Sequence, residues 1–240
     1  MRIVVNHLTR MRGGHVCVAG VDVRTDRHVR PVLRWGSLTP ALLARNHGPF
    51  DMANVVDLGT VEPCPKPPHV EDHWFSPPKA ELLERLGAEE FWALLYAVSK
   101  PRLRDVFGDE LRPMGRSSCG TPVGQGRASL GCFRPNRRQS SPWVEKGRDG
   151  ALRVRIRIDD GELHRSVAVT DLRLYGKDHA TADPAAVRKL ADRLRSPGAV
   201  ILGVGLTRAF SSSSEQQEKP VHWLQVNNVH LEDDPTWPLG

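Results

Sequence analysis

Three arginines at alternate positions form the most chemically suggestive pattern of the chain. Arg153, Arg155 and Arg157 alternate with aliphatic residues in the segment L-R-V-R-I-R-I over 152–158. Alternate residues of a strand lie on one face, so we expect three guanidinium groups on one side and the aliphatics in a core. Planar guanidinium groups match phosphate oxygens, which favours a polyanion as ligand. The alternative is a charged solvent face that discourages edge-to-edge pairing.

The segment around this strand is the most basic part of the chain. Residues 134–157 contain eight lysines and arginines against two acidic residues, whereas the whole chain of 240 residues carries a formal net charge of +6. The remainder is therefore close to neutral on balance. We expect Arg134, Arg137 and Arg138 to extend the basic path beyond the strand. Such a local excess favours nucleic acid as partner.

A second candidate surface lies in the last alternating segment, V-H-W-L-Q-V-N-N-V-H over 221–230. Trp223, Gln225 and Asn227 share one face of the predicted strand, while Leu224 and Val226 look towards a core. A ring for stacking and two amides for base edges are typical of proteins that bind single strands. Equally, the ring could simply cover a barrel and the amides could bond neighbouring backbone. Trp35 is a further candidate for stacking on a base.

Reaction chemistry has weak support in the sequence. There is no G-x-S-x-G motif, and G-T-P-V-G-Q-G-R over 120–127 lacks the Lys-Ser/Thr ending of a phosphate-binding loop. Two groups, His69 to His73 and His230 to Asp234, collect metal-ligand types at generic spacings. We therefore predict no catalytic residues, no cofactor and no metal site.

An enzyme remains the first alternative. Its carboxylates would be Asp57, Glu71 and Asp72, with His69 or His73 beside them, holding a metal for an attack on nucleic acid or nucleotides. This reading requires the fold to bring the carboxylates together. A module that docks an acidic protein partner through its basic face is the second alternative.

The elements that would position these residues are mostly strands. Short β-type runs at 3–5, 16–23 and 29–33 predict a three-strand meander, followed by a short helix at 38–45 and a bend into a strand within 50–61. These predict a small antiparallel barrel over 1–76. Residues 77–112 are predicted as a connecting helical hairpin, with helices at 80–86 and 88–99, and a linker.

The second half, 113–240, repeats the plan of strands, helix and strands. The strands are predicted at 129–133, 152–158, 163–175, 200–207 and 221–230. A helix over 184–196, with Asp183 as N-cap and Pro184 at its first position, is inserted between them. The predicted fold class is mainly β with α (α+β).

The expected cellular compartment is inferred from the sequence patterns for membrane spans and signal peptides. No apolar run is long enough to span a bilayer, and the apolar stretch at the N-terminus is too short for a signal peptide. We therefore expect a cytoplasmic protein with no membrane partner. The four cysteines form no C-x-x-C pair, so we expect free thiols, mostly buried.

Several stretches together resemble the bacterial dual OB-domain proteins. They are M-R-I-V-V-N-H-L-T-R-M at 1–11, H-V-R-P-V-L at 28–33, L-T-P-A-L-L at 38–43, F-D-M-A-N-V-V-D-L-G at 50–59, P-P-H-V-E-D-H at 67–73 and H-W-L-Q-V-N-N-V-H-L-E-D-D-P at 222–235. The resemblance runs through both halves and implies two OB-like barrels. By analogy with other OB folds, it implies oligonucleotide binding without defined catalytic residues.

The expected function is the binding of single-stranded or distorted nucleic acid, in a bacterial nucleic-acid transaction or defence system. Arg153, Arg155 and Arg157 would contact phosphates, and Trp223 or Trp35 would stack on a base. The joint site requires that the arginine strand and the strand of Trp223 face the same side of the sheet. The oligomeric state is not predicted.

Overall fold

A computed structural model describes residues 1–114, 118–135, 141–147, 149–196, 198–211 and 219–237. Strands dominate these residues and form two sheets, with three α-helices at their margins. This confirms a mainly β protein with few helices. The two sheets are open paths of strands, so closed barrels are not observed in the described part of the chain.

The first sheet has seven strands in the order β5-β6-β3-β2-β1-β4-β7. They are β1 (Arg2–Arg10), β2 (Val16–Asp22), β3 (His28–Val32), β4 (Asn54–Asp57), β5 (Glu62–Pro63), β6 (Asp72–Trp74) and β7 (Glu81–Arg85). The predicted meander is confirmed, because β1, β2 and β3 pair antiparallel in sequence order. Strand β1 has an irregularity between Val5 and His7, so that Asn6 is an extra residue opposite β2.

The second sheet follows the order β12-β13-β14-β16-β15-β11-β8, and β10 joins it through β16. Its strands are β8 (Ser99–Lys100), β9 (Arg112–Met114), β10 (Ser118–Pro122), β11 (Leu130–Phe133), β12 (Trp143–Lys146), β13 (Leu152–Asp159), β14 (His164–Val169), β15 (Val200–Leu206) and β16 (Val221–Leu231). Strand β16 carries a bulge at Asn227, because Gly203 pairs with Asn228 and Val204 pairs with Val226.

The predicted helical hairpin is wrong in its first half. Residues of the E-L-L-E-R segment form β7, which pairs antiparallel with β4 and has five exposed side chains. The open edge of the first sheet supplies hydrogen-bond partners that outweigh the helical preference of Glu, Leu and Arg. The second predicted helix is confirmed as α1 (Ala88–Val98), which buries Phe91 and Leu95.

Two other helix predictions have different outcomes. The segment 38–45 forms two 3-10 turns, Pro40–Leu42 and Ala44–Asn46, instead of an α-helix. The inserted helix is confirmed as α3 (Pro184–Arg193), and the Asp183 side chain accepts hydrogen bonds from the amides of Ala185 and Ala186. A short helix α2 (Leu103–Phe107), which was not predicted, packs in the core of the second sheet.

The two sheets meet along β1 and β16. Leu8 donates its amide to Asn228 Oδ1 at 2.9 Å, and Asn228 Nδ2 donates to the Leu8 carbonyl at 3.1 Å. The hydrophobic core formed mainly by the first sheet also includes Cys132 and Ile201 from the second sheet. The halves are therefore joined by both polar and apolar contacts, and a cleft opens beside this junction.

Candidate nucleic-acid interface

The arginine strand and the strand of Trp223 face the same side of the second sheet. Arg155 lies opposite Ala168 of β14, and Ala168 lies opposite Gln225 of β16. Residues directly opposite one another in neighbouring strands project to the same face. Arg155 and Gln225 therefore belong to one row across the sheet, and Trp223 lies on the same face two residues away.

This face forms one wall of a cleft of about 1720 Å³. The other wall comes from the first half of the chain, including Cys17, Arg30 and Trp74. Eight basic side chains line the cleft against two aspartates; they are Arg10, Arg12, Arg30, Lys66, Arg153, Arg155, Arg208 and Lys219, with Asp72 and Asp149. Residues 115–117 and 212–218, which are close in sequence to lining residues, lie outside the described part. The cleft is thus strongly electropositive.

The three arginines of β13 have different environments. Arg153 donates to Asp149 at 2.6 Å, and both side chains are largely exposed. Arg155 donates to the Ser166 carbonyl at 2.8 Å and lies 3.6 Å from Glu145. Arg157 is exposed but is not part of the cleft lining. The aliphatics Val154, Ile156 and Ile158 are fully buried, so the alternation itself is confirmed.

Trp223 is one of the residues that line the cleft. Its Nε1 donates to the Phe210 carbonyl at 3.0 Å, and the two rings are tilted with centroids 6.3 Å apart. The predicted core positions Leu224 and Val226 are buried. The bond to Phe210 fixes the indole edge and leaves part of the ring exposed, as a stacking platform requires.

The two amides of this strand are engaged inside the protein. Gln225 Nε2 donates to Asn227 Oδ1 at 2.8 Å, and Asn227 Nδ2 lies 3.2 Å from His7 Nδ1. Asn227 is only 3% exposed. Its hydrogen-bonding capacity is directed at the junction of the two sheets, and Gln225 is the amide that remains at the cleft surface.

The other predicted binding residues lie outside the cleft lining. The Arg134 guanidinium stacks over the ring of Tyr96 at 3.8 Å. Trp35 is 89% exposed in a bend. Arg137 and Arg138 lie outside the described residues. The proposed extension of the basic path therefore has no described geometry behind it.

Several cleft residues were missed from the sequence. Arg208 pairs with Asp72 at 2.7 Å, and Arg12 lies over the ring of Phe210 at 5.7 Å. Trp74 is also in the lining, and Arg34, which is outside it, lies over the Trp74 ring at 4.3 Å. The pattern T-R-A-F at 207–210, an arginine and an aromatic directly after a strand, was the available signal for Arg208 and Phe210.

A buried polar network includes two residues of the cleft lining, Arg30 and Asp72. Arg30 Nε donates to Asp72 at 2.6 Å, and its Nη2 contacts His69 Nδ1 at 2.8 Å and Ser129 Oγ at 3.0 Å. Burial, together with the positive charges of Arg30 and Arg208, lowers the pKa of His69 to about 2. The network therefore holds a neutral imidazole against a buried ion pair.

The carboxylates that the enzyme alternative would use have separate partners within the protein. Glu71 accepts bonds from the Ser129 amide at 2.8 Å, from its hydroxyl at 2.7 Å and from the Leu130 amide at 3.1 Å. Asp57 pairs instead with the N-terminal amine at 3.4 Å. His73 Nδ1 contacts the Glu71 carbonyl at 2.8 Å. The structure thus gives these groups structural partners.

A different set of metal-ligand types lies at the junction of the sheets. One ligand atom each from His7, His28 and Cys132 all lie within 4.8 Å of one another. None of these residues was singled out from the sequence, because they are far apart along the chain. All four cysteines are free thiols, and Cys119 and Cys132 are buried.

No helix in the described part of the chain combines the length and apolar character needed to cross a membrane.

Comparison with known proteins agrees with this architecture. No curated protein sequence matches the chain. Residues 1–229 match the dual OB-containing domain. The sequence resemblance is therefore confirmed, and the chain belongs to the dual OB-containing domain family.

Proposed function

We propose that the cleft binds single-stranded or distorted nucleic acid. The observation that carries this proposal is the common face of Arg153, Arg155, Trp223 and Gln225 on one wall of an electropositive cleft. Cations in such a cleft neutralise phosphates and release counterions. Membership of an OB-containing family agrees with this ligand class, although fold alone does not assign it.

We propose that the exposed cationic side chains of the cleft contact the phosphates. Arg12, Arg208, Lys66 and Lys219 are exposed, and Arg153 is partly exposed. The Arg153–Asp149 bond is a surface pair of low net strength, which a phosphate can replace. The Arg208 side chain is half exposed and pairs with the buried Asp72. Arg155 is held more firmly by the Ser166 carbonyl, so its contribution is mainly to the positive field.

We propose that aromatic rings on both walls of the cleft stack on the bases. Trp223 and Phe210 form one platform, and Trp74, with Arg34 over its ring, lies on the opposite wall. Stacking is tolerant of sequence, because every base presents a π-face. We therefore propose a weakly sequence-selective site in which Gln225 makes the amide contact to a base edge.

The test is fluorescence anisotropy with labelled single-stranded DNA and RNA at two salt concentrations. We expect an Arg12→Ala/Arg153→Ala double variant to bind more weakly, with a salt slope reduced by about 1.4, from about 0.7 per phosphate contact on a single strand. Arg188→Ala, which changes an exposed arginine of α3 outside the cleft lining, is the matched control. Absent or salt-insensitive binding, or an equal loss in the control, contradicts the proposal.

A further inference from the structure

Three residues from both sheets converge where the halves of the molecule meet. His7 lies on β1, His28 begins β3 and Cys132 lies on β11. Their ligand atoms lie within 4.8 Å of one another, and His28 Nε2 is 3.8 Å from Cys132 Sγ. A tetrahedral zinc ion places its nitrogen and sulfur ligands about 3.6 Å apart. The observed spacing is therefore close to that of a coordination shell.

Two buried polar atoms at this place have no hydrogen-bond partner. They are His7 Nε2 and Asn6 Oδ1. His7 is 1% exposed and Asn6 is fully buried, so bulk solvent does not reach these atoms. An unpaired buried polar atom is costly, and a cluster of them calls for an explanation such as a bound ion.

The Asn6 carboxamide is placed as a fourth ligand. Its Nδ2 lies 3.2 Å from His28 Nε2 and 3.4 Å from Cys132 Sγ. Nitrogen and oxygen of a carboxamide exchange positions when the group rotates by half a turn. That rotation directs the oxygen, which is otherwise without a partner, towards the centre of the cluster.

The backbone around the cluster is shaped to hold His7. The bulge at Asn6 brings two consecutive side chains of β1 into the interior, and the bulge at Asn227 lies opposite. A Cβ on Gly203 would lie 3.0 Å from His7 Cε1, so the missing side chain leaves room for the imidazole. Asn227 Nδ2 lies 3.2 Å from His7 Nδ1; when the carboxamides of Asn227 and Gln225 both rotate by half a turn, Nδ1 donates to the Asn227 oxygen and Nε2 is free to bind a ligand.

We propose that His7, His28 and Cys132 bind a divalent transition-metal ion, best matched by Zn²⁺, with the Asn6 carboxamide oxygen completing a tetrahedron. Two imidazoles and a thiolate suit zinc, whereas Mg²⁺ and Ca²⁺ prefer oxygen ligands. Binding releases the thiol proton of Cys132 to solvent as the sulfur–zinc bond forms. The site is structural, because its four ligands leave no open coordination position.

The ion would tie the first sheet to the second beside the cleft. Asn227 connects His7 to Gln225, which lines the cleft, through two successive hydrogen bonds. Metal binding would therefore stabilise the folded chain and fix the relative position of the two walls. It does not depend on nucleic-acid binding.

The test measures metal in the full-length protein. We expect one Zn²⁺ per chain by elemental analysis after addition of zinc and gel filtration. Replacement by Co²⁺ should give the visible absorption of a tetrahedral ion and a thiolate-to-cobalt charge-transfer band. Removal by a chelator should lower the melting temperature, and zinc should restore it.

Variants of two buried cysteines make the comparison specific. Cys132→Ser should lose the charge-transfer band, whereas Cys119→Ser, at an equally buried cysteine of the second core, should keep it. If Cys132→Ser does not fold, the cobalt spectrum of the unaltered protein shows whether a thiolate binds the ion. Failure to retain zinc, a cobalt spectrum without a thiolate band, or an unchanged band in Cys132→Ser overturns the proposal.

Discussion

Arg153, Arg155 and Arg157 occupy equivalent positions of one alternating strand, yet only two of them line the cleft. Periodicity in the sequence assigns a face, and the burial of Val154 and Ile156 agrees with that assignment. It does not say which residues along the face lie within a concave surface, because curvature and neighbouring loops decide this. The same limit applies to the tryptophans, because Trp35 lies in an exposed bend whereas Trp223 lines the cleft.

The two tryptophans provide a matched test of stacking. We expect Trp223→Ala to weaken binding of single-stranded DNA by about tenfold, from about 1–3 kcal/mol per stacked base. Trp35→Ala should leave affinity nearly unchanged, because that ring lies outside the cleft lining. Anisotropy titration measures both. An equal loss in the two variants would place the nucleic acid elsewhere.

His69 makes stability depend on pH. Its pKa is lowered from 6.5 to about 2 in the folded protein, by burial first and then by Arg30, Arg208 and His222. Below about pH 6.5 the unfolded chain binds a proton that the folded chain excludes, so this contribution is full above that pH and declines as pH falls. The wild-type slope should exceed that of His69→Gln by up to about 1.4 kcal/mol per pH unit.

Urea unfolding of both proteins from about pH 7.5 to about pH 5 measures this difference. His164→Gln, at an exposed histidine, serves as the control. Equal slopes in wild type and His69→Gln would show that His69 carries no proton linkage.

At the scale of elements, local sequence patterns identify most strands and two helices, and edge pairing explains the main error. The E-L-L-E-R segment has the local preferences of a helix, but β4 offers it an unpaired edge. No local pattern records that edge, since β5 and β6 lie between β4 and β7 in the sequence. By contrast, Asp183 followed by Pro184 marks the start of α3 within the segment itself.

The α3 cap provides a test of this local signal. Asp183→Ala removes two hydrogen bonds, at 2.8 and 3.2 Å, from the first-turn amides. We expect a loss of about 1 kcal/mol in the free energy of unfolding, measured by urea denaturation. Asp192→Ala, which breaks an exposed pair with Arg195 late in the helix, should cost less. A larger loss of stability in Asp192→Ala than in Asp183→Ala would contradict the capping role of Asp183.

The glycines of β15 are a second test at this scale. A Cβ on Gly205 would lie 2.4 Å from Asn227 Nδ2, so Gly205→Ala must displace that side chain. We expect destabilisation by about 1–3 kcal/mol from overpacking. Gly176→Ala, where the nearest atom would be 3.5 Å away, is the control in the same denaturation experiment. Equal stability of the two variants would mean that Asn227 moves freely.

At the scale of the whole molecule, the halves share buried polar groups and should unfold together. Glu71 is 6% exposed and receives its three hydrogen bonds from Ser129 and Leu130 of the second half. Without the second half, this carboxylate would be left without those donors. We therefore expect a fragment of residues 1–98 to lack cooperative unfolding, as followed by circular dichroism. A sharp transition for the fragment would establish independent domains.

Contacts between distant segments are the part that sequence patterns leave undetermined. His7 and Asn227 are separated by 220 positions, and their proximity depends on how the two sheets pack. The alternation in 221–230 places Asn227 on the face of Trp223, but the bulge turns its amide towards His7. The candidate metal site therefore becomes visible only in three dimensions.

The pairing of Leu8 with Asn228 also has a consequence for how the chain acquires its structure. These hydrogen bonds join residues 220 positions apart, so two backbone groups of an inner strand of the first sheet find their partners only in a side chain of β16. Closing so long a loop raises the contact order, which slows folding relative to proteins with local pairings. During synthesis, the Leu8 amide and carbonyl therefore lack these partners until residue 228 has left the ribosome.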